Sequence, residues 1–506
     1  MSGRVLKGRA AALLNGLALG AFATPAAAET LQEALVAAYR TNPTLEAQRA
    51  NVRALDENVP IQRAAALPNV QLQSNHAELL IQSNNSFVVP KRVFQSQGQI
   101  GYPVYSGGAV KNGVKAAEER VLAGRAGLRN TEANVFTNAV AAYMDVIRDS
   151  AIVQLNQQNV RVLEVNLQAS RDRFQVGDLT RTDVAQSEAR LALARSQLQQ
   201  AEARLISSRE SFVQIIGHAP GDLEAPPALP GLPEDPDKAV AVALTDNPAL
   251  LAARKTVDAT KYDVRTARAA RLPTVQIFNQ SSYFNYFGSI GSPQIPNDGF
   301  NVQAGVGINI PIYQGGQPAA RIRQAQARQG VAQEQLTESE RAVVAQARSA
   351  YAVYRSSLEV IESARAALAA NKLSLEGVRA ENGVGNRTVI EVLNAEQELL
   401  NSQVTLVTAE RDAYVAGFAV LAAMGHAEAK DLGLNGGPLY DPEIHYRRVR
   451  NRFLDFGQDL PSPKPVATST ANTPAQSSKV VKPLDPAFMN PIDSNRGDAS
   501  GTKPQP

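Results

Sequence analysis

The sequence predicts a mainly α-helical chain that carries a membrane β-barrel portion and is built from two copies of one unit. Three observations carry that prediction. Ordered motifs recur at a nearly constant offset, long proline-free stretches place apolar residues seven apart, and short segments alternate apolar residues with small or polar ones.

The repeat organises everything else. Asn42-Pro43 recurs as Asn247-Pro248 and Leu67-Pro68 as Leu272-Pro273, both 205 positions apart. Pro103-Val-Tyr-Ser-Gly-Gly108 recurs as Pro311-Ile-Tyr-Gln-Gly-Gly316 at an offset of 208. That offset holds through Val176-Gly177 and Val384-Gly385 to Gly217-His218-Ala219 and Gly425-His426-Ala427. Two unrelated helical domains would not keep one offset for so long, so the chain is an internal duplication. It divides into a leader (1–28), a first repeat (29–230), a second repeat (231–440) and a tail (441–506).

The leader reads as a secretory signal. Arg4, Lys7 and Arg9 precede the apolar stretch Ala10 to Phe22, and Ala26-Ala27-Ala28 supplies an A-x-A cleavage site. No later stretch reaches the ~18 apolar residues of a membrane helix. The mature chain is therefore expected to be periplasmic, secreted, or inserted as β-structure.

Each repeat then runs in the same order. A helix of roughly two dozen residues begins at Asn42-Pro43 or Asn247-Pro248. Two strands follow, over about 66–105 and about 272–313. The clearest is Val302, Ala304, Val306, Ile308, Ile310 and Ile312 with Gln303, Gly305, Gly307 and Asn309 between them, which gives one apolar face. Turn-forming residues fill Gly288 to Gly299 in one copy and Asn84-Asn85-Ser86 in the other.

The coiled coils come last, over 106–218 and 314–426. No proline interrupts Pro103 to Pro220 or Pro318 to Pro438. Val146, Val153, Val160, Leu167 and Phe174 stand seven apart, answered by Val184, Leu191, Leu198, Leu205 and Phe212. Tyr354 to Asn382 and Val392 to Val420 repeat the spacing, so each copy ends in an antiparallel hairpin. The outgoing arm reaches ~100 Å at ~1.5 Å per residue. The returning arm is little more than half as long, and the short helix before the strands is expected to stack on its end. Four strands cannot close a barrel, and an open edge in lipid leaves backbone groups unpaired, so the chain must oligomerise. Three copies would supply twelve strands; the number does not follow from the residues.

Composition excludes several functions. Lys plus Arg number 51 against 48 Asp plus Glu, which leaves no nucleic-acid footprint, and there is no cysteine for disulfides, thiolate metal sites or acylation. His76, His218, His426 and His445 have no metal-ligand spacing. No GxSxG, HExxH, Walker or dinucleotide motif stands in context, so no enzyme activity and no cofactor is expected. The tail carries Arg447, Arg448, Arg450 and Arg452, then a Pro/Ser/Thr-rich stretch from Leu460 to Pro506 that reads as disordered, with an equatorial belt or a peptidoglycan contact as its conceivable roles.

Taken in order, the duplicated Asn-Pro, the Leu-Pro before the strands, the P-x-Y-x-G-G exit, and the turns Val176-Gly-Asp-Leu-Thr-Arg-Thr-Asp183 and Val384-Gly-Asn-Arg-Thr-Val-Ile-Glu391 resemble the TolC family of outer-membrane efflux proteins over about Leu31 to Leu434. The resemblance implies a homotrimer with a twelve-stranded barrel in outer-membrane lipid, continued by a twelve-helix tunnel into the periplasm. It also implies an exit duct of a tripartite efflux pump or type I secretion system, with a periplasmic adaptor and an RND- or ABC-type inner-membrane transporter as partners. Position by position, it places periplasmic gate links at Thr182, Asp183 and Arg387, a constriction ring at Glu391 and Asn394, and adaptor-docking turns at Val176, Gly177, Leu179, Val384 and Gly385. Asn382 stands where the family often has tyrosine, and the neutral Asn394 leaves one acidic ring of Glu391. Three converging carboxylates would repel one another and raise their pKa. A solvated helix face is the alternative for these charges, and Gly as a mere helix terminator is the alternative for the turns. A periplasmic spacer or surface adhesin would share the hairpins but not the one-sided strands. Drug efflux and protein secretion are not separated by the sequence.

Overall fold

The computed structural model describes residues 28–81, 89–290, 294–434, 437–456 and 464–480. The leader and the Asn84-Asn85-Ser86 turn lie outside them, as do residues 291–293 of the second loop. Each repeat begins with two helices rather than one: α1 (Leu31–Thr41) and α2 (Pro43–Ala64), then α5 (Pro236–Asp246) and α6 (Pro248–Ala269). Asn42 and Asn247 explain the break. Each residue before the proline is pushed to an extended backbone (ψ 121°), and its side chain then caps the next helix by accepting from the N–H groups of Thr44 and Leu45, or of Ala249 and Leu250.

The same two amides build the stacked rods. Asn42 Nδ2 donates to the Ile215 carbonyl (2.9 Å) and Asn247 Nδ2 to the Ala423 carbonyl (2.9 Å), satisfying the ends of α4 (Arg181–Ile216) and α8 (Val389–Met424). Gly217 and Gly425 terminate those helices at φ 101° and 86°. A Cβ at Gly425 would meet the Asp246 carbonyl oxygen at 2.6 Å, so the close approach needs glycine as much as the turn does.

The long arms α3 (Ala109–Gln175) and α7 (Gln317–Gly383) each hold 67 residues, or ~100 Å of helix. The heptad series does face the packed interior: Val146, Val153, Val160, Leu167, Leu191, Leu205 and Phe212 are buried, as are Leu368, Leu375, Leu399, Leu406 and Val420. Phe174, last of its series, is exposed beside the turn.

Between the helices lies one antiparallel sheet in the order β1 (Asn69–Glu78), β2 (Arg92–Tyr105), β3 (Thr274–Asn285), β4 (Asp298–Asn309). The central pair β2–β3 joins the two repeats. Register slips between Pro103 and Tyr105, where proline has no N–H for the ladder. β4 stops at Asn309, so Ile310 and Ile312, expected in the strand, lie beyond it; Pro311 interrupts pairing there.

Parts of the tail pack against the helices, among them residues 464–480 of the stretch expected to be disordered. Helix α9 (Glu443–Val449) packs on α2, with His445 Nδ1 3.0 Å from the buried Asp56 carboxylate. Within 464–480, Arg209 donates to the carbonyls of Ser477 and Lys479, Gln476 N–H donates to Glu210, and Val480 packs against the cluster that holds Leu205 and Phe212. A segment without a core of its own is ordered here by lending backbone carbonyls to an arginine.

Candidate functional site

Two regions stand apart from the packed helical rods: the sheet and the far tip of the hairpins. In the sheet the register sorts side chains onto two faces. Val70, Leu72, Ile100, Tyr102, Ile277, Phe300, Val302, Val306 and Ile308 share one face and are exposed to the surroundings. Phe94 and Tyr283 meet edge to face on this side near one end, and Tyr102 with Tyr105 marks the other. An apolar band between aromatic belts is what lipid selects. Twelve residues of strand tilted by ~40° rise ~30 Å, enough for the hydrocarbon layer. Among the described residues no helix is long and apolar enough to cross a membrane. β1 and β4 are left as open edges.

At the tip, Gly177 (φ 88°) and Gly385 (φ 84°) end the outgoing arms, and a Cβ on either would meet nothing within 4 Å. Val176 and Val384 project into solvent at 78% and 73% exposure, while Leu179 is half-buried. Asp183 and Glu391 are equivalent positions of the two repeats, and each closes a capping box. Asp183 accepts from Thr180 N–H (2.9 Å) and Thr180 Oγ1 (2.6 Å); Glu391 accepts from Thr388 N–H (2.8 Å) and Thr388 Oγ1 (2.9 Å). Thr182 Oγ1 lies 2.6 Å from Thr180 Oγ1.

Arg387 bridges Glu381 (2.7 Å) and Glu391 (2.7 Å) within its own chain, and Asn382 Nδ2 donates to the Arg387 carbonyl (2.7 Å), closing the turn. Asp183 and Arg387 are therefore not brought together inside one chain. Within one chain, where no second Glu391 is present to repel it, the Glu391 carboxyl is instead held low. The Thr388 N–H, then the Arg387 guanidinium and the Thr388 hydroxyl, hold it down to about 2.

Side chains further along the helices tie the second hairpin to the first repeat. Asn394 Oδ1 accepts from Arg190 Nη2 (2.6 Å), joining α8 to α4. Three turns from the tip, Glu396 of α8 accepts from Asn166 Nδ2 of α3 (2.8 Å) and pairs with Arg379 of α7 (3.1 Å). The Glu396 side chain is 1% exposed, and desolvation pushes its pKa up in spite of both partners. Glu396 lies four positions after the heptad residue Val392, on the flank of the hairpin core where a third helix packs. A charge at such a flank is the one signal that would have pointed to it.

The family profile described as "Outer membrane efflux protein" matches residues 34–218 and 239–426. The chain is 36% identical over 453 residues to the outer membrane efflux protein BepC of Brucella suis biovar 1 (strain 1330), covering 89% of this chain and 96% of that one. It is 24% identical over 484 residues to the outer membrane protein TolC of Escherichia coli (strain K12), covering 91% and 96%. Its fold resembles the crystal structure of the outer membrane protein VceC from Vibrio cholerae, with a TM-score of 0.67 at 19% identity over 78% of this chain and 96% of that chain.

Proposed function

The chain belongs to the outer membrane efflux protein family, a family of channels, and from that premise we propose how its two repeats form a gated duct. It resides in the outer membrane, extends into the periplasm, and serves as the exit duct of efflux or type I secretion. Three copies join edge to edge, β4 of one against β1 of the next, so that twelve strands close a barrel and no ladder group faces lipid unpaired. Twelve helical rods continue the bore. The observation that carries this reading is the four-stranded sheet with one apolar face, one amide-rich face and two open edges.

At the periplasmic end, Thr182, Asp183 and Arg387 form the gate links between neighbouring hairpins, and Glu391 with Asn394 lines the constriction. Forming the Asp183–Arg387 link requires Arg387 to exchange one of its two in-chain carboxylates for one across the hairpin boundary. Such a trade between exposed pairs involves little net energy, which suits a gate that a partner must open. That partner is a periplasmic adaptor, seated on Val176, Gly177, Leu179, Val384 and Gly385 and linking the duct to an inner-membrane transporter. The duct itself conducts passively, and any energy input comes from the transporter.

The test pairs cysteines across β1 and β4. Crosslinking is expected to give trimers in outer-membrane fractions, and wild-type protein is expected to give single channels in planar bilayers. Monomers that neither crosslink nor insert would refute the duct.

A further inference from the structure

The register of the sheet places Gln71, Gln99, Gln280 and Gln303 directly opposite one another, one from each strand. The next row on that face is Gln73, Gln97, Ser282 and Asn301, and the one beyond begins Asn75, Gln95. All four members of the first row are exposed, and their side chains make no hydrogen bond to another described residue. Two phenylalanines share the face, but each lies over a glycine of the neighbouring strand. A Cβ at Gly305 would meet the Phe278 ring at 3.0 Å, and one at Gly299 the Phe284 ring at 2.7 Å. The rings are flattened against the wall, and the amides are what project.

No Asp, Glu, Lys, Arg or His stands at the described positions of this face, from Asn69 to Ala77, Val93 to Pro103, Thr274 to Phe284 and Gly299 to Asn309 in steps of two. The opposite face carries the large exposed aliphatic and aromatic side chains, with Ser74, Ser96, Asn279 and Ser281 interspersed, so in lipid the amide face turns to the bore.

We propose that this row and its neighbours are the selectivity element of the outer-membrane stage: a sleeve of carboxamides without fixed charge. The proposal rests on the duct reading above. Each carboxamide both donates and accepts, so it serves amide- and hydroxyl-bearing permeants of either charge sign or none. A wall without fixed charge neither concentrates nor excludes ions. Charge discrimination is thereby left to the helical part of the duct, where exposed charged side chains run from the rods to the tip, and the barrel selects by size and hydrogen bonding.

Because the chain has no cysteine, single cysteines give a clean test. Gln280→Cys and Gln303→Cys are placed in the bore, and Val302→Cys and Val306→Cys on the lipid face. Each is exposed in membranes to a water-soluble, permanently cationic thiol reagent. Rapid labelling is expected at 280 and 303 and none at 302 and 306. Reversal potentials are then read in an Arg387→Gln/Glu391→Gln background, so that tip charges do not mask the barrel. Labelled 280 channels are expected to shift towards anions, and the unlabelled parent to show little preference between K⁺ and Cl⁻. Lipid-face labelling with a silent 280 would overturn the face assignment. Labelling at 280 without a shift, or a strongly selective parent, would overturn the selectivity role. Loss of all conductance in wild type would instead sink the duct reading, leaving the labelling pattern to stand alone.

Discussion

Replacing Arg379 with alanine tests the node that the tip depends on. In the native chain the Glu396 carboxylate is 1% exposed and flanked on its own helix by Leu393, Leu399 and Leu400; it has Arg379 at 3.1 Å and Asn166 at 2.8 Å. Its second oxygen, Oε2, is buried with no hydrogen-bond partner among the described residues. Deleting the guanidinium leaves a buried charge held by one amide, at a cost of ~3–5 kcal/mol per chain. At ~1.4 kcal/mol per factor of ten, that raises local opening of the tip by about two to three and a half orders of magnitude. The sign with pH follows from the raised Glu396 pKa. The folded tip holds this proton more tightly than the unfolded chain does. The stability it confers is complete below the ordinary value of 4.5 and fades as pH rises through the raised one. Without Arg379 the pKa climbs further, so the loss extends to higher pH. Hydrogen exchange of amides at 376–400, in detergent at pH 5 and pH 7.5, reads the effect. Protection should collapse at pH 7.5 and partly return at pH 5, while Arg379→Met/Glu396→Leu should restore it at both. Unchanged protection in Arg379→Ala at pH 7.5 would show that the pair is not what holds α7, α8 and α3 together.

Other consequences follow from the same geometry. Gly425→Ala should cost more than Gly385→Ala in thermal melts: both incur the ~1–2 kcal/mol left-handed penalty, but only the first drives a Cβ into the Asp246 carbonyl at 2.6 Å. Asn247→Ala removes an N-cap (~1 kcal/mol) and strands the buried Ala423 carbonyl (a further ~1–3 kcal/mol), so differential scanning should find it worse than a surface Asn401→Ala. Val306→Lys on the lipid face should cost ~2–4 kcal/mol near mid-membrane and cut the yield of inserted oligomer, whereas Gln303→Lys inserts normally. Because Glu391 is held down to about 2, its contribution to the α8 start is present above pH 4.5 and lost only as pH falls towards 2; carboxylate titration by NMR should find it among the last to protonate.

Much of this architecture was legible in one dimension. Heptads, the two-residue alternation of β4, the Asn-Pro caps and the Val-Gly turns are all local patterns, set by helix and strand periods and by backbone sterics. Duplication made them readable twice, and the repeat equivalence of Asp183 and Glu391 is a matter of counting. What counting could not supply is the partner of each charge. Asp183 was read as a gate link and Glu391 as part of a constriction ring, yet in the folded chain each first serves the threonine three residues before it, and Arg387 stays with Glu381 and Glu391.

Contacts that join separate elements needed the tertiary structure. Asn166 and Glu396 are 230 residues apart, Arg190 and Asn394 are 204, and Gln476 reaches Glu210 across 266. Alternation shows that a strand has two faces, but only the pairing of β2 with β3 lines four glutamines up in one row. The physical reason is the same in each case. Local periodicity specifies which side of an element is apolar, whereas the identity of its neighbour is decided by how several such sides pack at once, and a polar residue at the margin of a stripe takes its partner from whichever helix or strand arrives there.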